Sequence, residues 1–265
     1  MNIFTREMKA NRKSLILWCL GIVAMIVGSI GKFLAFSSSE QSINDIINIY
    51  PKSLLNMLGI SSFDLSTALG FYGVLFLYLI LISTVHAVML GSNIISKEEK
   101  DKTTEFLFVK PVSRNKIITS KLLAALLNII ILNIVTFITS YLIVDYFNEG
   151  DATFGYITKL MIGMFVLQLI FMCIGSLLSS VSKKPNTATS TSTGILLITF
   201  MLSMIINMND KFQDLKYITP FQYFKAESII SGDGIDTVFI ILSIIIIGLS
   251  LVGTYIFYKN RDLNV

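Results

Sequence analysis

The chain has 265 residues, 54% of them hydrophobic and 14% charged, with a formal net charge of +4. Soluble domains sit nearer about 45–50% and about 25%, so an ordinary water-soluble fold is excluded. One histidine and two cysteines rule out a typical multi-histidine metal site and a disulfide framework, and the slight positive balance suits an anionic lipid face rather than nucleic acid.

Six stretches free of Asp, Glu, Lys and Arg occupy residues 14–31, 65–96, 122–144, 160–182, 185–209 and 237–258. A helix rising about 1.5 Å per residue needs about 20 residues to cross a hydrocarbon core of about 30 Å. The first run reaches that length if Lys32 snorkels to the headgroups, which extends the span to Phe36. The expectation is an all-α integral membrane protein, a single transmembrane domain over residues 1–265, with spans at about 14–36, 70–95, 122–145, 158–181, 187–208 and 237–258.

In chain order, residues 1–13 mix Ile3, Phe4 and Met8 with four cations, which predicts a short interfacial helix before the first span. Within that span Gly21 and the pair Ala24 and Gly28 suit close helix packing. The string from Gly28 to Lys32 has the wrong spacing for a phosphate-binding loop, and no G-x-x-x-x-G-K-[ST] occurs elsewhere. Residues 37–64 form a long loop with an amphipathic turn near Pro51–Leu58.

The second span carries Ser83, Thr84 and His86. A histidine at membrane depth is a functional candidate by default, although a neutral imidazole bonded to a neighbouring hydroxyl or carbonyl explains it equally simply. Between the second and third spans lies SKEEKDKTTEFLFVKPVSRNKIITSK, residues 96–121. Thr103 or Thr104 can cap a short helix, Glu105 favours its first turn, and Phe106, Leu107 and Val109 give it an apolar face. Pro111 ends it, and Ser113 is placed to cap the next helix.

The fifth span opens on Thr187-Ala188-Thr189-Ser190-Thr191-Ser192-Thr193, a hydroxyl-rich start that either lines a wetted vestibule or bonds back to its own carbonyls. Residues 210–236 hold Tyr217, Pro220, Phe221, Tyr223 and Phe224, aromatics suited to the membrane boundary. Asn128, Asn133, Gln168 and Asn207 read as interhelical hydrogen-bonding groups. With both termini inside, the inner segments hold fifteen of the 21 Lys and Arg residues and the outer segments six, so both ends are placed in the cytoplasm.

The 96–121 loop resembles the signature of type-2 permeases of bacterial ABC exporters: a glutamate after the second span, a T-x-E-L/F-L segment, then P-V-S-R. The matching residues are Glu98, Glu99, Thr103, Thr104, Glu105, Phe106, Leu107, Pro111, Val112, Ser113, Arg114 and Lys121. The resemblance implies a coupling helix gripping a nucleotide-binding subunit through Glu98, Glu99, Thr104, Glu105, Phe106, Pro111 and Arg114. It also implies a re-entrant outer segment before the sixth span, and assembly with a second copy or a similar permease in the plasma membrane. ATP and Mg would then be held by the partner ATPase, with no cofactor and no catalysis on this chain. The second and fifth spans border the path in that family, which makes Ser83, His86, Thr189, Thr191 and Thr193 candidates for its lining. An uncharged path suits an apolar or amphipathic cargo such as a peptide, drug or lipid. The alternatives are an ion-coupled secondary transporter or channel, which wants charges at mid-membrane, and an intramembrane enzyme built on Glu98, Glu99 and His86.

Overall fold

The computed structural model describes residues 3–37, 49–100, 113–148, 153–182, 185–232 and 234–260. Six long helices cover the six charge-free runs: α1 (Ile3–Ser37), α3 (Ala68–Lys100), α4 (Arg114–Phe147), α5 (Thr153–Val181), α6 (Pro185–Met208) and α8 (Thr237–Asn260). All six are long and apolar enough to cross a bilayer. The short α2 (Lys52–Met57) forms where an amphipathic turn is expected, with Leu55 buried. Between α6 and α8 run two 3-10 turns, Asp210–Tyr217 and Pro220–Gln222, and the five-residue α7 (Ala226–Ile230). Among the described residues there is no strand.

Three helices overrun their predicted spans at the inner end. Once a helix leaves the bilayer nothing in hydrocarbon physics stops it, and neither α1, α3 nor α4 meets a proline there. Helix α1 corrects one expectation. Residues 3–13 are not a separate interfacial helix but run unbroken into the first span. The reason is packing: Ile3, Glu7 and Leu15 are buried, and Asn128 of α4 donates to the Met8 Sδ at 3.2 Å. Those contacts hold the segment against α4 and keep it from lying flat.

Helices α3 and α5 form the centre and share the most extensive contact, with α1 and α4 on one flank and α6 and α8 completing the bundle. Their crossing depends on glycine. A Cβ on Gly91 would overlap the Met172 carbonyl oxygen, and one on Gly175 would fall 2.6 Å from that of Val88. Backbone meets backbone there, the small-residue packing that lets helices associate in lipid. Gly21 and Gly28, expected to serve that purpose in the first span, have open space where a Cβ would stand. The larger apolar core gathers Ile22, Ile26, Phe76, Leu79, Leu167 and Phe171. A smaller one, with Leu90, Ile94, Ile118, Leu122 and Cys173, lies towards the inner end.

Candidate functional site

The inner ends of α1, α3 and α4 meet at one carboxylate. Glu98 lies in the last turn of α3, just past the charge-free run, and is 5% exposed. Its Oε1 accepts from the Arg6 Nη2 of α1 at 2.6 Å, and its Oε2 is paired with the Lys121 Nζ of α4. Lys121 is fully buried and donates also to the Ile94 carbonyl at 2.6 Å. Arg6 reaches Glu7 at 3.2 Å, and Lys97 stands 3.9 Å from the other Glu7 oxygen. Charges so placed cost several kcal/mol each to dehydrate, which only good geometry and full pairing offset. Both oxygens of Glu98 are used, so one side chain ties three helices.

The far side of the 101–112 segment is anchored separately. Ser113 caps α4 as its sequence suggests, its Oγ accepting from the Lys116 N–H at 3.4 Å. Arg114 then donates to the Lys259 carbonyl in the last turn of α8 at 2.8 Å, a cation on the negative end of a helix. One turn further along α4, the Thr119 and Tyr255 hydroxyls lie 2.7 Å apart. Glu99 is half-buried. Thr104, Glu105, Phe106 and Pro111, with the expected coupling helix they define, lie outside the described residues.

The candidate path residues have different neighbours. Ser83 is buried and donates to the Ile80 carbonyl of its own helix at 3.3 Å. His86 is 4% exposed and packs its ring 5.3 Å from that of Trp18 in α1. Its Nδ1 has no hydrogen-bond partner, so the imidazole is held by ring contact where a hydrogen bond was the simpler expectation. Thr189 of α6 donates to the Asn93 Oδ1 at 3.2 Å and lies 3.4 Å from the donating Ser92 hydroxyl. Asn93 follows His86 by seven residues, hence on nearly the same face of α3 and about 10 Å nearer the inner end. Thr191 is exposed and Thr193 half-buried, while Ser192 bonds back to the Ala188 carbonyl at 2.8 Å.

Among the amides, Asn133 donates to the Gln168 Oε1 at 2.7 Å and so joins α4 to α5. Gln222 donates to the Asn207 Oδ1 at 3.0 Å and to the Ser203 carbonyl at 2.8 Å. That pair of bonds helps lock the outer segment onto α6, as does Thr219 donating to the Thr199 carbonyl at 2.7 Å. Phe221 fits between Phe171 of α5 and Phe200 of α6, with ring centres 5.4 Å and 5.2 Å away. Tyr223 stacks on Phe239 of α8 at 4.8 Å.

Sequence reasoning took Glu98 and Lys121 from the loop signature and did not pair them. It missed Arg6 and Glu7 as their companions. A signal existed: Glu98 and Lys121 bound adjacent charge-free runs with opposite sign. Nothing along the chain, however, says that residue 6 comes within reach of residue 98. A family model described as ABC-2 family transporter protein matches residues 1–263. No curated protein matches the chain.

Proposed function

This chain belongs to the ABC-2 family of transporter proteins and is a multi-pass permease subunit of an ABC transporter, and from that membership we propose that it exports an apolar or amphipathic substrate by alternating access, driven through the 96–121 loop by a separate ATPase. Permeases of this family work with ATP-binding subunits and are not themselves catalytic. In our reading ATP and Mg reside on that partner, two permease copies or this chain and a similar one sit side by side in the plasma membrane, and both termini are cytoplasmic.

The observation that carries the reading is the double anchoring of the loop. Glu98 ties its entrance to α1 and α4, and Arg114 ties its exit to α8. A push delivered to residues 101–112 therefore has paths into four helices through bonds that resist shear.

Two further features support the wider picture. Phe221 packs on Phe171, the midpoint of the 160–182 charge-free run, which favours a re-entrant outer segment reaching the bilayer middle. Thr187, Ser190 and Thr191 are exposed on one face of α6. Hydroxyls there suit a wetted vestibule shared with a second copy better than lipid chains. An ion-coupled carrier would want charges at mid-membrane, whereas the buried Glu7, Glu98 and Lys121 lie near helix ends.

The test is co-purification with an ABC ATPase followed by substrate-stimulated hydrolysis. Glu105→Arg and Arg114→Glu are expected to abolish the stimulation while leaving the ATPase's basal rate intact. Unaltered stimulation in both variants would remove the coupling assignment.

A further inference from the structure

A cavity enclosing about 600 Å³ of empty space, its open mouth included, lies at the outer end of α3, α6 and the segment before α8. That size falls in the range of about 300–1,000 Å³ common for ligand sites. Phe76, Ile80 and Phe221 make its wall apolar, while Asn207, Lys225 and Glu227 supply polar groups. Ile80 stands at the middle of the 65–96 charge-free run, so the wall spans from the outer surface to mid-membrane depth.

The wall is built rather than incidental. Gln222 fixes Asn207 by taking its carbonyl oxygen as acceptor, which leaves the Asn207 amide N–H groups as its donors towards the space it lines. On the opposite side Phe63 is pressed onto Gly73, where a Cβ would stand 2.7 Å from the ring. The backbone carbonyl of Asp64 lies as tightly over Gly70. Two glycines thus let the 59–66 turn close down as a cover. Phe224 takes the same advantage of Gly163 on α5, where a methyl group would stand 2.9 Å from the Phe224 Cβ.

We propose that this cavity binds a single-chain anionic amphiphile, with its chain along Phe76, Ile80 and Phe221 and its head at Lys225 and Asn207. Among the described residues Lys225 forms no ion pair within 4.0 Å, so its charge is available to a ligand. Burial lowers the pKa of its ammonium, partly countered by Glu227, and an anionic head would restore the lost solvation. The outward position of the site rests on the topology in the reading above; binding itself does not. The same chemistry is found in an outer-leaflet lysophospholipid and in an exported amphiphilic cargo.

The experiment uses the full chain in lipid nanodiscs, without ATPase or nucleotide, and a diazirine-bearing lysophosphatidic acid. Crosslinked peptides are expected within residues 58–80 and 200–227 and are competed away by unlabelled lysophosphatidic acid. Lys225→Glu should cut the labelling about tenfold, and Ala226→Trp and Leu77→Trp, which fill the cavity, should abolish it in protein that elutes as wild type does. An alkyl-trimethylammonium probe with the same chain should label weakly. Equal labelling by both probes, full labelling of the two tryptophan variants, or crosslinks confined to α1 and α8 would each overturn the site. In sealed proteoliposomes, probe supplied at the 209–236 face labels the cavity if the source is the leaflet. Probe supplied at the opposite face with ATPase and ATP labels it if the source is cargo. Crosslinks from the first side with no nucleotide-dependent transport would leave the site standing and refute export.

Discussion

Glu98 answers two cations with one buried carboxylate, and that arithmetic makes its removal costly. Glu98→Ala leaves Lys121 charged, fully buried and bonded only to a carbonyl. The expected loss is about 3–5 kcal/mol, the usual cost of orphaning one partner of a buried pair, measurable by denaturant unfolding in detergent. Glu98→Leu combined with Lys121→Met should recover most of that loss, because Arg6 is more than a third exposed and can turn to water. Asp64 gives a pH prediction. Its carboxylate accepts from the Ser66 hydroxyl at 2.6 Å and the Ser66 N–H at 2.9 Å, and the hydroxyl bond, then the amide bond, lower its pKa below 3.8. A depressed carboxylate stabilises the turn above its unfolded value and stops doing so as pH falls through the folded one. Amide exchange at Ser66 should thus be flat from neutrality to about pH 4 and rise only below it, and Asp64→Ala should show the faster rate throughout.

At the scale of elements, the six helices were legible because charge-free length is a bilayer requirement, and every run of sufficient length became a helix. Their inner boundaries were not legible in that way. The same rule is silent once the chain leaves the hydrocarbon, so α1 was expected to break near Lys13 and did not. The loop signature exposed Glu98, Arg114 and Lys121 as residues of interest, yet their partners depend on which helices touch, and uniformly apolar spans carry little information about their neighbours. The glycines illustrate this. Gly21 and Gly28 looked as fit for close packing as Gly91 and Gly175, but only the latter pair meets another backbone. Gly91→Leu is therefore expected to disrupt the α3 and α5 crossing and abolish stable insertion, whereas Gly28→Leu should keep wild-type yield and thermal stability in detergent. A comparison of the two by size exclusion after heating decides it.

For the whole molecule, the topology stands on the excess of Lys and Arg in one set of connections. Cysteines placed in turn beside Pro111 and in the 210–217 turn, in a chain with Cys19 and Cys173 replaced by Ala, should react oppositely with a membrane-impermeant maleimide on intact cells. The Pro111 site should be silent and the outer site labelled; reversal would place the 101–112 segment where no cytoplasmic ATPase can grip it. The backbone contact at Gly91 and Gly175 has a mechanical consequence for such a molecule. Two rods that cannot slip along one another bend as a single thicker beam, several times stiffer than the same rods free to slide. A load applied beneath Lys100 would then reach the far end of α3 as displacement, with little of it dissipated as curvature on the way.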